Sequence, residues 1–225
     1  TDDRGGSVIG LTDREISVVC DGAAQPVASL QSAIKGGESM AAVLLFDRSG
    51  SMKTAVDRTK EAAAGFIQRL SIDDQIAVVS FDHTINVDLP LTVDKAAGAF
   101  AVRAIMPGEN TALYDAIREG LAQLRSASTK RLALIILSDG VDTRSRTTRA
   151  EAEAEARSQG VALFSIGLGD KVDAAALQEL AAATGGRFLA AARPEDLLAL
   201  YQTIGDQLHN QYHLIFRPAF GRDEA

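Results

Sequence analysis

Five residues in three separated stretches could act together. In LLFDRSGSMKTA (44–55) an apolar run ends in Asp47, and Ser49 and Ser51 follow at alternate positions around Gly50. In GENTALYDAI (108–117) Thr111 stands just ahead of a helical pattern, and in LALIILSDG (132–140) a second apolar run closes on Asp139. Taken singly, each is ordinary: a serine or threonine caps a helix, and Asp-Gly is a turn dipeptide. Taken together they are two carboxylates and three hydroxyls, all hard oxygen donors, with no soft or nitrogen ligand among them. The natural guest of such a set is a hard divalent cation, Mg2+ first, with Mn2+ or Ca2+ as alternatives. If the hydroxyls make the direct contacts and the aspartates act through bound water, little negative charge touches the ion. It then stays electrophilic and seeks an anion from outside.

The elements that must position these residues are legible as short apolar runs: AAVLLF (41–46), IAVVSF (76–81), LALIILS (132–138), VALFSIG (161–167) and the weaker RFLAA (187–191). Near-continuous runs suit strands covered on both faces, as in a parallel sheet. Helical stripes fit 54–70, 112–125, 147–159, 173–183 and 194–210, so strand and helix alternate and a doubly wound α/β fold is expected, with helices on both faces. FDHTINVDLPLT (81–92) breaks the alternation with a tight return and a second strand. It predicts one antiparallel edge strand, since only an edge tolerates Pro90. In such folds ligands bind beyond the carboxyl ends of the strands, which is where Asp47 and Asp139 fall.

At 225 residues, with 46% hydrophobic and 24% charged residues, the chain can bury a full core and reads as one globular domain with room for an appendage. A net charge of -7 would repel a phosphate backbone, and the densest basic group is Arg144, Arg146 and Arg149 in DTRSRTTR, so nucleic acid is not expected as a partner. No apolar stretch approaches the roughly 20 residues of a membrane span. Thr1 opens no recognisable signal peptide, so any targeting segment is expected to lie outside this chain. Cys20 is the one cysteine, which excludes an intrachain disulfide and reads as a small core residue.

Enzyme motifs fail one by one. A haloacid-dehalogenase phosphatase needs a second Asp where Ser49 stands, and no G-x-S-x-G elbow surrounds that serine. His83, His209 and His213 have no triad or metal spacing and read as surface residues. GLGDKV (167–172) has Val172 where a dinucleotide fingerprint needs its last glycine, and there is no phosphate-binding G-x-x-x-x-G-K-[ST] loop. A noncatalytic chain is therefore expected.

The pattern Asp-x-Ser-x-Ser, then Thr, then Asp resembles the metal-ion-dependent adhesion site of von Willebrand factor type A (VWA) domains over roughly residues 39 to 210, and GLTDREISVVCDGAAQPVASL (10–30) is similar to the strand-rich lead segment of bacterial relatives. The resemblance implies Asp47, Ser49, Ser51, Thr111 and Asp139 as the metal set. It implies a noncatalytic module recruiting an Asp or Glu side chain of a protein or peptide partner, and a secreted, periplasmic or cell-surface location. A Mg2+-dependent hydrolase or phosphatase, or an assembly subunit of a metal chelatase or ATPase, are the alternatives. The expected organisation is a β-rich extension over 1–38, the VWA domain over 39–217 and a tail over 218–225. Glu109-Asn110 departs from many relatives, which place a glycine before the threonine, and Glu109 is expected to crowd or internally occupy the metal's open position. Arg144, Arg146 and Arg149 are expected to rim the same face and steer an acidic ligand. The alternating runs ISVVC (16–20) and YHLIF (212–216) are expected to pair with each other, since each alone would expose a strand edge.

Overall fold

The structure, a computed structural model, describes residues 8–32, 39–52, 56–169 and 172–217. The chain divides into a unit spanning Ser39–Ile204 and a second unit drawn from its two ends, 1–38 and 205–225.

The larger unit is built on six strands: β4 (Ala41–Asp47), β5 (Gln75–Phe81), β6 (Ile85–Thr92), β7 (Leu132–Ser138), β8 (Ala162–Leu168) and β9 (Phe188–Ala191). They lie in the order β6-β5-β4-β7-β8-β9, parallel throughout except for β6, which returns antiparallel along β5. Every residue of β4 is buried, as its uninterrupted apolar run requires of the strand at the centre of a two-faced sheet. Alternate side chains go to opposite faces. Val43, Leu45, Val79, Leu134 and Ile136 pack with Leu113, Ile117 and Leu121 of α3 (Leu113–Leu124), Ala152 and Ala156 of α4 (Arg149–Ser158) and Leu177 and Leu180 of α5 (Ala174–Ala183). On the other face α1 (Val56–Gln68) lies beside α2 (Lys95–Ala104), whose Gly98 sits against Ile67 and Ile76. The last helix, α6 (Leu197–His209), joins α1 through Tyr201, which stacks on Phe66 with ring centroids 5.3 Å apart. The α/β class, the parallel sheet and the antiparallel edge all stand as expected. Pro90 falls where the β5–β6 ladder skips between Val78↔Leu89 and Ile76↔Thr92, so its missing N–H breaks no regular pair.

Tyr201 is fully buried, and its hydroxyl has no hydrogen-bond partner among the described residues. Burial accordingly pushes its pKa up. An unpaired buried hydroxyl costs roughly 1–3 kcal/mol of desolvation with nothing in return. Tyr201→Phe keeps the stacked ring, so it should raise stability by about 1 kcal/mol in a urea melt. A loss of that size would instead reveal a bonded hydroxyl.

The second unit corrects the expected pairing of the two ends. β1 (Val18–Cys20) pairs with β2 (Ala23–Gln25), while β10 (Tyr212–Phe216) pairs antiparallel with β3 (Val27–Ser32), from Tyr212↔Ser32 to Phe216↔Val27. The reason is local. Asp21 and Gly22 both have positive φ, +51° and +80°, which makes the two-residue turn that closes ISVVC on its own neighbour. β10 then takes the longer strand that follows. Cys20 is half-exposed in β1 rather than a core residue. The tail expected over 218–225 lies outside the described residues.

Candidate metal centre

Three loops meet beyond the carboxyl ends of β4, β5 and β7. The first carries Asp47, which is fully buried, with both carboxylate oxygens engaged: Oδ1 accepts the Ser49 N–H at 2.9 Å, and Oδ2 accepts the Ser138 hydroxyl at 2.6 Å. Ser138 also accepts the Gly140 N–H at 2.9 Å, so the end of β7 and the start of its loop are tied to the Asp47 carboxylate. Burial pushes the Asp47 carboxyl up to about 6, the hydrogen bonds from Ser138 and Ser49 oppose that rise, and the nearby Asp139 adds to it.

The Asp139 loop depends on Gly140 at φ +82°, where a Cβ would also lie 2.8 Å from Leu177 Cγ. This left-handed turn lets the Asp139 carbonyl accept Asp173 N–H at 2.7 Å while its Oδ1 accepts Val141 N–H at 3.2 Å. The same loop then caps α3 from outside its own chain segment. Asp142 Oδ1 accepts Leu113 N–H, and Ser145 Oγ accepts Tyr114 and Asp115 N–H, at 2.8 to 3.2 Å. Asp115 reciprocates by accepting Arg146 and Thr147 N–H on separate oxygens at 3.0 and 2.9 Å. Burial works against the ionised form of Asp115, yet the Thr147 and Arg146 donors and Arg118 hold its carboxyl below the usual range.

That clamp places Thr111. Its N–H donates to Thr143 Oγ1 at 3.1 Å and its carbonyl accepts both Thr143 and Arg144 N–H at 2.9 Å, which uses the backbone groups and leaves the side chain to the cleft it lines. From the other side, Ala112 N–H donates to the Asp82 carbonyl at 2.7 Å and Gly108 N–H to the Arg48 carbonyl at 2.6 Å. Arg48 and Asp82 form an ion pair at 3.0 Å with side chains only 14% and 4% exposed. Burial alone would raise the Asp82 carboxyl, but hydrogen bonds from Thr84 and the Arg48 guanidinium hold it below the ordinary carboxylate range.

The result is a cleft of about 470 Å3 lined by Ser49, Thr111 and Asp139 together with Glu109 and Asn110, with Asp47 buried behind Ser49. Four of the five residues read from the sequence therefore converge. The fifth, Ser51, follows in the turn Gly50–Met52, and its side chain lies outside the described residues. Glu109 lines this cleft and Arg144 and Arg146 line the adjoining one, whereas Arg149 is turned away into ion pairs with Glu153, at 3.3 Å, and Glu179. Sequence reasoning missed Ser138, Arg48, Asp82 and the capping pair Asp142 and Ser145. The signal for Ser138 was present, as a hydroxyl interrupting an apolar run one residue before an aspartate.

The residues fit a cation chemically. A fully buried carboxylate beside a second one is an arrangement that burial and like charge both disfavour, and hydroxyls face the same cleft. Among the described residues no cluster of three or more His, Cys, Asp or Glu side chains offers an alternative centre. No helix there is long and apolar enough to cross a membrane.

Comparison with known proteins agrees with this architecture. An uncharacterised protein of Synechocystis sp. is 25% identical over 172 residues, covering 74% of this chain, which itself spans only 41% of that relative. An aerotolerance-related membrane protein from Bacteroides fragilis superposes with a TM-score of 0.68 at 15% identity, covering 77% of this chain and 100% of the other. Proximal thread matrix protein 1 from the mussel byssus, in a structure with a zinc-occupied MIDAS motif, superposes at 0.64 with 17% identity, over 74% of this chain and 47% of its own. At those identities the structures speak for the fold alone. The von Willebrand factor type A domain model matches residues 42–203, nearly the whole of the unit that carries the sheet, and the chain belongs to that family.

Proposed function

We propose that this chain is a noncatalytic binding module that takes an acidic side chain of a protein partner through a divalent cation, Mg2+ by donor preference, held by Asp47, Ser49, Ser51, Thr111 and Asp139. The observation that carries the reading is the convergence of two buried aspartates and cleft-facing hydroxyls at the carboxyl ends of β4 and β7. When bound, the cation would supply Lewis acidity toward a carboxylate oxygen from outside. Ser49 and Thr111 would offer neutral oxygens. Asp47, both of whose oxygens are occupied by Ser49 and Ser138, would act mainly as a fixed charge behind them. Asp139 has one oxygen committed to Val141 N–H and the other available to orient a bound water. The zinc-occupied motif of the byssus protein supports a divalent ion at such a site, and the oxygen-only donor set favours Mg2+ over zinc. The proposed place is the cell surface or the periplasm, with which a fold shared with an aerotolerance-related membrane protein is consistent.

A titration followed by amide NMR tests the reading. Ac-Gly-Asp-Gly-NH2 should shift the resonances of Gly50, Asn110 and Thr111 in Mg2+ but not in EDTA, and its Asn counterpart should shift none. Equal shifts in EDTA, or turnover of a phosphoester panel in Mg2+, would reject a noncatalytic acid receptor.

A further inference from the structure

A second cleft, of about 520 Å3, adjoins the first and shares Glu109 and Asn110 with it. Its other lining residues are His83, Asp115, Arg144 and Arg146. Neither guanidinium forms an ion pair among the described residues, while the arginines around them are matched: Arg118 and Arg125 with Glu155 at 3.0 Å, and Arg149 with Glu153 and Glu179. Asp115 lines the same cleft and offsets part of their charge, but each of its oxygens accepts a backbone N–H, of Arg146 and of Thr147, and neither guanidinium is bonded to it. The backbone beneath both arginines is fixed by Arg144 N–H on the Thr111 carbonyl and Arg146 N–H on Asp115. Two unpaired cationic groups therefore stand on a rigid loop beside the proposed cation.

We infer that the Arg144–Arg146 cleft is a second anion subsite, and that the partner segment carries two acidic side chains, one for the cation and one for these arginines. This rests on the function proposed above. Glu109 stands on the wall common to both clefts, so an anion midway meets like charge and the favoured positions lie at the two ends. The two acids must then be spaced apart along the segment. Arginine suits the second position, since its planar fork matches a carboxylate.

The test uses the peptides Ac-Gly-Asp-(Gly)n-Asp-Gly-NH2, with n from 0 to 4, against Ac-Gly-Asp-Gly-NH2, each titrated in Mg2+ at low salt. At least one spacer should bind roughly fivefold more tightly than the single-acid peptide, the scale of one partly exposed ion pair. In an Arg144→Ser/Arg146→Ser variant the gain of the two-acid peptide over the single-acid peptide should vanish, with the Mg2+ response of the melt retained. If no spacer outperforms the single-acid peptide, or the double variant keeps the gain, the subsite is refuted while the cation-centred function stands. If the single-acid peptide shows no Mg2+-dependent binding, the function itself fails and the subsite falls with it.

Discussion

In EDTA at pH 7, Asp47→Asn should be more stable than the wild type by up to about 3 kcal/mol, although Asp47 is among the most buried residues of the site. Burial pushes the wild-type carboxyl up to about 6 in the folded chain, from the ordinary aspartate value of about 3.9. Below pH 4 both folded and unfolded chains hold the proton and burial is tolerated. Between pH 4 and 6 the unfolded chain releases it first, so folded wild type loses stability as pH rises, by about 1.4 kcal/mol for each unit separating the two pKa values. Above 6 the full cost is present. An asparagine removes the charge and keeps part of the bonding, its oxygen accepting Ser49 N–H and its amide donating to Ser138 Oγ, while the Ser138 hydroxyl proton loses the acceptor it has in the wild type, which holds the gain below the full charge term. Urea melts of both proteins at pH 4 and pH 7 check this. The stability gap should open with pH, and a variant less stable than wild type at pH 7 would show that the charge is compensated within the protein.

Gly108→Ala should be strongly destabilising, costing about 3 kcal/mol. A Cβ at this position would lie 2.8 Å from both Cβ and Cγ of Asp82, and closer still to its carboxylate. Asp82 cannot step aside cheaply. It accepts Thr84 N–H and hydroxyl at 2.7 and 2.8 Å, pairs with Arg48, and presents the carbonyl that receives Ala112 N–H. Losing part of a buried charged network costs several kcal/mol. The same displacement would move Thr111, one residue before Ala112, so any cation response should weaken together with stability. A wild-type melt for Gly108→Ala would show that this loop yields freely.

The sequence made the oxygen donors of the site easier to find than what holds them. Asp47, Ser49, Thr111 and Asp139 were visible because each ends an apolar run or precedes a helical one, and the parallel strands announced themselves by burial on both faces. α2 was missed although Asp94 signals its start by accepting Ala97 N–H and its apolar stripe is no weaker than those of α4 and α5. The β1–β2 hairpin was written in Asp21-Gly22 and overlooked in favour of a pairing between distant ends. Asp142 and Ser145 were beyond reach, since they cap a helix some 30 positions away in sequence, and nothing local distinguishes such a pair from a solvated loop. The place of Arg149 was lost for a similar reason. Its spacing from Arg144 and Arg146 suggests one rim, but it opens α4, where Glu153 lies one turn on.

A cation site built on Asp139 must show in the change in melting behaviour when Mg2+ is added to wild type and to Asp139→Asn. With Asp47 and Asp139 converging on one cleft, removing one charge should leave the metal-free variant as stable as wild type or slightly more so. Its carboxamide cannot anchor the water shell of a cation as a carboxylate does. Wild type should therefore gain about 2.7 kcal/mol at a hundredfold excess of Mg2+ over its dissociation constant, and the variant should gain almost nothing. A wild type whose melting ignores Mg2+ and Mn2+ alike, or a variant that responds as strongly as wild type, would contradict a cation site built on Asp139.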